Sequence, residues 1–277
     1  MYYLNILFFI VTVGLFVLLY WSLKSWFREK KLKKILSQPF PQEYENILNK
    51  IPYFQKLTPQ EQEKIKNSIL IFIESKEFTG VKLEITSEIK VTVAFYACLL
   101  LLNIQTKNCY DNLLTIIVYP SHVIYDIARE NGGIVSKESL LLEGQSANDT
   151  VVISWNDAKK EAYHIGKENV ILHEFAHEID FLDGEIDGIP PLSEAKYTQW
   201  SEVLYRDYNK LKAKAIANRY WGKYKILGDY AATNEAEFFA VATERFFGTP
   251  NALKHHFPEL YNELKDFYKI DPAKEFT

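Results

Sequence analysis

Cysteine is scarce in this chain. It has two, Cys98 and Cys109, with no Cys-x-x-Cys spacing, so a disulfide framework is excluded and the pattern fits a reducing compartment. Cys98 falls in the apolar run VAFYACLLLL and reads as a small buried hydrophobe. No basic patch accompanies the aromatic residues, which make up 15% of the sequence. Six of the 32 basic side chains and one of the 36 acidic ones fall in residues 24–34; the rest of the chain holds 26 against 35, a net −9. A body of that sign excludes a nucleic-acid partner gripped through phosphates. Beyond residue 45 there is no repeat, no low-complexity tract and no second linker.

The first 23 residues contain no Asp, Glu, Lys, Arg or His. Tyr2 to Leu23 form an apolar stretch of 22 residues, long enough to span a bilayer as a helix. A signal peptide would have an early Lys or Arg and a small-residue cleavage site, and neither is there. The expectation is one uncleaved transmembrane helix, residues 1–23, with Tyr20, Trp21 and Trp26 as interfacial anchors. Lys24, Arg28, Lys30, Lys31, Lys33 and Lys34 follow the span and none precedes it. The positive-inside rule then puts a single-pass protein in the cell membrane with its body on the cytoplasmic side, the basic linker 24–44 meeting lipid headgroups.

Within 45–271, Thr58-Pro59 opens a helix, with Thr58 as N-cap and Gln62 following, and Val91 to Leu102 is an apolar block suited to a buried helix. Leu113 to Tyr119 and Val151 to Trp155 read as strands, the second as an edge able to pair with an extended peptide. Helices are expected near 167–183, 192–217, 234–247 and 259–268. Central strands with helices on either side specify an α+β domain with a small sheet.

One of these helices carries His173-Glu174-Phe175-Ala176-His177. Positions i and i+4 project from one helical face, so two imidazoles can reach one zinc ion, and the glutamate beside the first can take a proton from attacking water. Leu172, Phe175, Ala176, Ile179 and Leu182 bury the rest of the helix, and Gly184 ends it. A catalytic zinc takes three protein ligands. No third histidine follows in EIDFLDGEIDG, so the ligand must come from a later element. Glu237 in NEAEFFAVATERFF is the candidate. It stands three residues after the N-cap Asn234, and from the residues alone it reads equally well as a capping-box carboxylate.

HEFAHEIDFLDGEIDGIPPL and NEAEFFAVATERFF, with KEFTGVKLEIT, YACLLLL, IIVYP and VVISW, closely resemble the Mlc titration factor A family of bacterial zinc peptidases, whose catalytic core is related to anthrax lethal factor. The similarity runs from about Tyr44 to Asp271. It implies a zincin-like metallopeptidase fold, Zn2+ held by His173, His177 and Glu237, Glu174 as general base, aminopeptidase-like activity on a peptide or protein substrate, and a regulatory link to the glucose repressor Mlc. Tyr230, seven residues before Glu237, matches the offset of a catalytic tyrosine in lethal factor and would donate to an oxyanion; otherwise it is a packing residue. Asp180 and Glu244 are positioned to fix a ligand imidazole or else to sit as solvated acids. His122, His164, His255 and His256 have no ligand spacing to the motif.

The sequence therefore points to a zinc-dependent peptidase. The rival is a membrane-anchored regulatory protein that captures a transcription factor and uses zinc to hold its fold. An intact Glu174 favours the enzyme, because a structural site has no use for a base.

Overall fold

The computed structural model describes residues 2–104, 110–121, 149–217 and 222–276. Cys109 and His122 lie outside them. The chain divides into two compact units, Met1–Pro41 and Gln42–Thr277.

The first unit is a single helix, α1 (Tyr2–Leu36), whose large apolar side chains are exposed from Phe9 to Phe27. It runs without a break from the apolar stretch through the basic one and ends at Leu36, within the 24–44 segment expected as a linker. Among the described residues, no helix is long and apolar enough to cross a membrane. The single-pass anchor expected from the sequence is corrected on this ground, and the cytoplasmic-side placement drawn from it goes with it.

The second unit opens with α2 (Gln42–Leu48), α3 (Pro52–Lys56) and α4 (Pro59–Ser75). Helix α4 starts on a full capping box. Thr58 Oγ1 accepts from the Glu61 N–H, and Glu61 Oε2 accepts from the Thr58 N–H at 2.9 Å. Glu61 closes the box; Gln62 donates to the Phe54 carbonyl instead. Strand β1 (Glu77–Gly80) follows, then α5 (Ser87–Leu100), which is buried from Val91 to its end. Strands β2 (Thr115–Tyr119) and β3 (Thr150–Ser154) complete a three-stranded parallel sheet in the order β1-β2-β3. Parallel neighbours need a crossover, and α5 lies in the one between β1 and β2. Ile116, Val118, Val151 and Ile153 point into the core, and the alternate residues stay partly exposed. Among the described residues β3 is an edge, as expected. Trp155, however, leaves the strand to open the helix α6 (Trp155–Ala162).

Helix α7 (Val170–Asp180) continues into a 3-10 turn over Phe181–Asp183. Gly184, with φ at +95°, stops the helix there, a backbone state in which glycine is unstrained. After α8 (Glu194–Ile216) come α9 (Glu235–Gly248), α10 (Pro250–His256), α11 (Pro258–Tyr268) and the short α12 (Pro272–Glu275). The domain is mostly helical α+β with a small parallel sheet. Helix α7 packs on α5, on β3 and, most extensively, on α9. Phe175 of α7 is fully buried, edge-on to Phe72 of α4 at 5.7 Å and to Tyr110 at 5.0 Å. Burying each such ring contributes about 1.5–3 kcal/mol. Two helices gripped this firmly hold their side chains to a fixed separation, which the site exploits.

Candidate metal centre

Helix α7 begins where Asn169 stops the chain from extending. Its Oδ1 accepts from the Leu172 N–H at 3.0 Å, while its own N–H donates to Glu244 Oε2 at 2.9 Å. The next amide, Val170, donates to Glu161 Oε2 at 2.6 Å. Three of the amides at the helix start are thus satisfied, two of them by carboxylates that also suit the positive end of the helix dipole. Burial pushes the Glu161 carboxyl up to about 7 even though the Val170 amide draws it down. Neither Asn169 nor Glu161 was singled out from the sequence. An asparagine directly before a helical run is an N-cap signal that would have found the first.

One turn further, His173 and His177 leave the same face, with Nε2 atoms 3.3 Å apart and rings inclined at 80°. Glu237 meets them from α9. Asn234 caps that helix by accepting from the Glu237 N–H at 2.8 Å. The Glu237 carboxylate reaches across to the imidazoles, Oε2 standing 3.0 Å from His173 Nε2 and Oε1 3.3 Å from His177 Nε2. The three donors lie within 4.8 Å of one another, the one such His/Cys/Asp/Glu cluster among the described residues. His173 and Glu237 are buried, whereas the His177 side chain is 23% exposed.

Glu244, two turns beyond Glu237, sits behind the cluster. Its Oε1 is 2.9 Å from His173 Nδ1, so the ring is held between one carboxylate at each nitrogen. Burial works against charge on this ring, but Glu237 and Glu244 outweigh it and hold its proton affinity well above the ordinary imidazole range. Glu174 is half-buried, and burial raises its carboxyl above the usual range while His173 and His177 pull it down. Tyr230 begins the 3-10 turn Tyr230–Ala232 that leads into α9. Its ring lies 5.7 Å from that of His173, tilted by 39°, and 48% of the residue is exposed. Asp180 turns elsewhere: it is fully buried and accepts from the Gly188 N–H, and burial pushes its carboxyl up to about 7. His164 pairs with the Lys160 carbonyl, and His255 with His256; none joins the cluster.

The donor set fits a divalent metal ion. Two ligands on a tetrahedral ion with bonds of about 2.0–2.1 Å stand about 3.3–3.4 Å apart. The pairs here stand at 3.0, 3.3 and 3.3 Å. With the His173 proton on Nδ1 against Glu244, its Nε2 lone pair faces the other two donors.

Comparison with known proteins bears on the same region. Residues 23–269 match the family described as glucose-regulated metallo-peptidase M90. An uncharacterized protein of Synechocystis sp. is 31% identical over 274 residues, covering 95% of this chain and 96% of that protein. The Mlc titration factor A of Serratia proteamaculans is 28% identical over 226 residues, covering 80% of this chain and 85% of that protein. That of Escherichia coli is 27% identical over 235 residues, 81% and 84%.

Proposed function

The chain belongs to the glucose-regulated metallo-peptidase M90 family, and from that premise we propose that it is a zinc-dependent peptidase whose catalytic domain is residues 45–271. His173, His177 and Glu237 hold the ion, Glu174 is the general base and Tyr230 donates to the oxyanion. The observation that carries this reading is the convergence of two imidazole nitrogens and a buried carboxylate from two tightly packed helices. Two imidazole nitrogens and one carboxylate are a donor set of catalytic zinc.

When bound, zinc would polarise the scissile carbonyl and lower the pKa of water at the site. The remaining work falls to the side chains. Glu174 takes the proton of the attacking water and returns it to the leaving amine; its raised proton affinity brings it closer to neutrality, where transfer in both directions is efficient. Tyr230, exposed with its ring 5.7 Å from that of His173, would donate its hydroxyl to a carbonyl oxygen gaining charge. Glu244 and Asn169 keep the His173 ring and its helix from turning. Strand β3, an edge beside α7, offers its backbone to an extended peptide. Cleavage from a free N-terminus is the mode the family resemblance favours.

The test is the purified protein against a peptide library, with and without chelator, followed by zinc restoration. Cleavage that survives exhaustive chelation would refute the proposal. A second reading draws on the name of the titration factor A relatives. It makes the chain a regulatory protein that binds a repressor of the Mlc kind, with metal holding the fold. In that case Glu174→Gln would leave function intact, whereas the enzyme needs the base.

A further inference from the structure

Asp180, the last residue of α7, is an acid that the proposed chemistry does not use. Its side chain is fully buried. One oxygen accepts from the Gly188 N–H at 2.9 Å, and among the described residues the other has no hydrogen-bond partner. A buried carboxyl with one hydrogen bond is costly, and losing that bond would leave the group with no partner among the described residues. Gly188 is held on two further sides. Its carbonyl accepts from Trp200 Nε1 of α8 at 3.3 Å, and the Trp200 ring packs edge-on to Phe239 of α9 at 5.9 Å. A Cβ added at Gly188 would lie 2.5 Å from the Glu235 carbonyl oxygen. With φ at +79°, the position suits glycine alone. Three helices therefore meet on one residue: the end of α7, the body of α8 and the first residue of α9.

The ligands stand on either side of this junction. His177 lies three residues before Asp180, and Glu237 two residues after Glu235. We infer that the Asp180–Gly188 contact is a spacer that sets the first turn of α9, and with it the Glu237 carboxylate, at its distance from the histidines of α7. This rests on the metal-centre reading above. A helix turn moves as a rigid piece, so a displacement at Glu235 passes directly to Glu237. Metal sites tolerate ligand errors of only about 0.2 Å, and the methyl of an alanine at Gly188 would force a larger shift.

The experiment compares the full-length protein with Gly188→Ala, Asp180→Ala, Asp180→Asn and Ile65→Ala. Ile65 is buried on α4, away from the junction, and its truncation opens a cavity there. Zinc affinity is read by competition with a chromophoric chelator, and thermal unfolding is followed on the metal-free forms. Asp180→Ala and Gly188→Ala should weaken zinc binding by about tenfold or more. Asp180→Asn should lose less, because its amide oxygen still accepts from Gly188. Ile65→Ala should melt earlier with its zinc affinity unchanged. Should Gly188→Ala not fold, the contrast between alanine and asparagine at 180 decides. Wild-type affinity in Asp180→Ala would overturn the spacer, as would an equal loss in Ile65→Ala, which would make affinity a mere follower of stability. A wild-type protein that binds no zinc would remove the metal centre itself, and the spacer with it.

Discussion

Removing the Glu244 carboxylate by Glu244→Ala should damage the fold and the metal site by separable amounts. In the native protein it takes two bonds at 2.9 Å, from the Asn169 N–H and from His173 Nδ1, and only 6% of the residue is exposed. Truncation leaves the buried Asn169 amide at the start of α7 without its acceptor, which costs about 1–3 kcal/mol. It also frees the His173 ring to rotate and to place its proton on either nitrogen. Loss of an outer carboxylate behind a ligand histidine lowers metal affinity by about 10–100-fold, or about 1.4–2.7 kcal/mol. Glu244→Gln keeps one oxygen and should fall between alanine and wild type on both scales. Denaturant unfolding of the metal-free protein measures the first loss, and chelator competition the second. A Glu244→Ala protein with wild-type zinc affinity would show that His173 needs no support from behind, and the assignment of Glu244 would fail.

Glu174→Gln should retain its zinc and lose kcat by several orders of magnitude, to be checked by metal analysis beside peptide turnover. Tyr230→Phe should lower kcat by about a hundredfold with KM little changed; a wild-type kcat would return the tyrosine to packing. Zinc retention should fall on acidification, and because Glu237 and Glu244 hold His173 above the ordinary imidazole range, protons should begin to compete at a higher pH than for a free histidine. The same shift stabilises the metal-free fold: the contribution is complete below the unfolded imidazole pKa of about 6.5 and disappears as pH rises through the folded value, which unfolding measured across pH would follow.

The His173–His177 pair was legible because i, i+4 spacing is a local property that any helix realises. The partner helix was legible as a helix, expected near 234–247 and found at Glu235–Gly248, but not as a partner. From its own residues Glu237 read equally as a cap, and its direction is set by the packing of α9 on α7, a contact across some 60 residues of chain. Asn169 already stood at the mouth of a helical run, yet its N–H bond to Glu244 spans 75 positions. Nothing local marks Gly188, because the three helices that meet on it come together only in the fold. Strand β1 went unread because Glu77–Gly80 is four residues long and alternates only weakly. Trp155 looked like the end of a strand by β-propensity, and the helix Trp155–Ala162 takes it as its first residue instead. At the other end of the chain, the length, aromatic anchors and basic flank of the uncharged segment suggested an anchor, while among the described residues no helix is long and apolar enough to cross a membrane.

The claim on which all of this depends is that His173, His177 and Glu237 share one zinc ion. X-ray absorption fine structure at the zinc edge of the purified protein tests it most directly. The account predicts one zinc per chain, with two imidazole nitrogens and carboxylate or water oxygens at about 2.0–2.2 Å. A shell of oxygens without imidazole, or one containing sulfur, would contradict it.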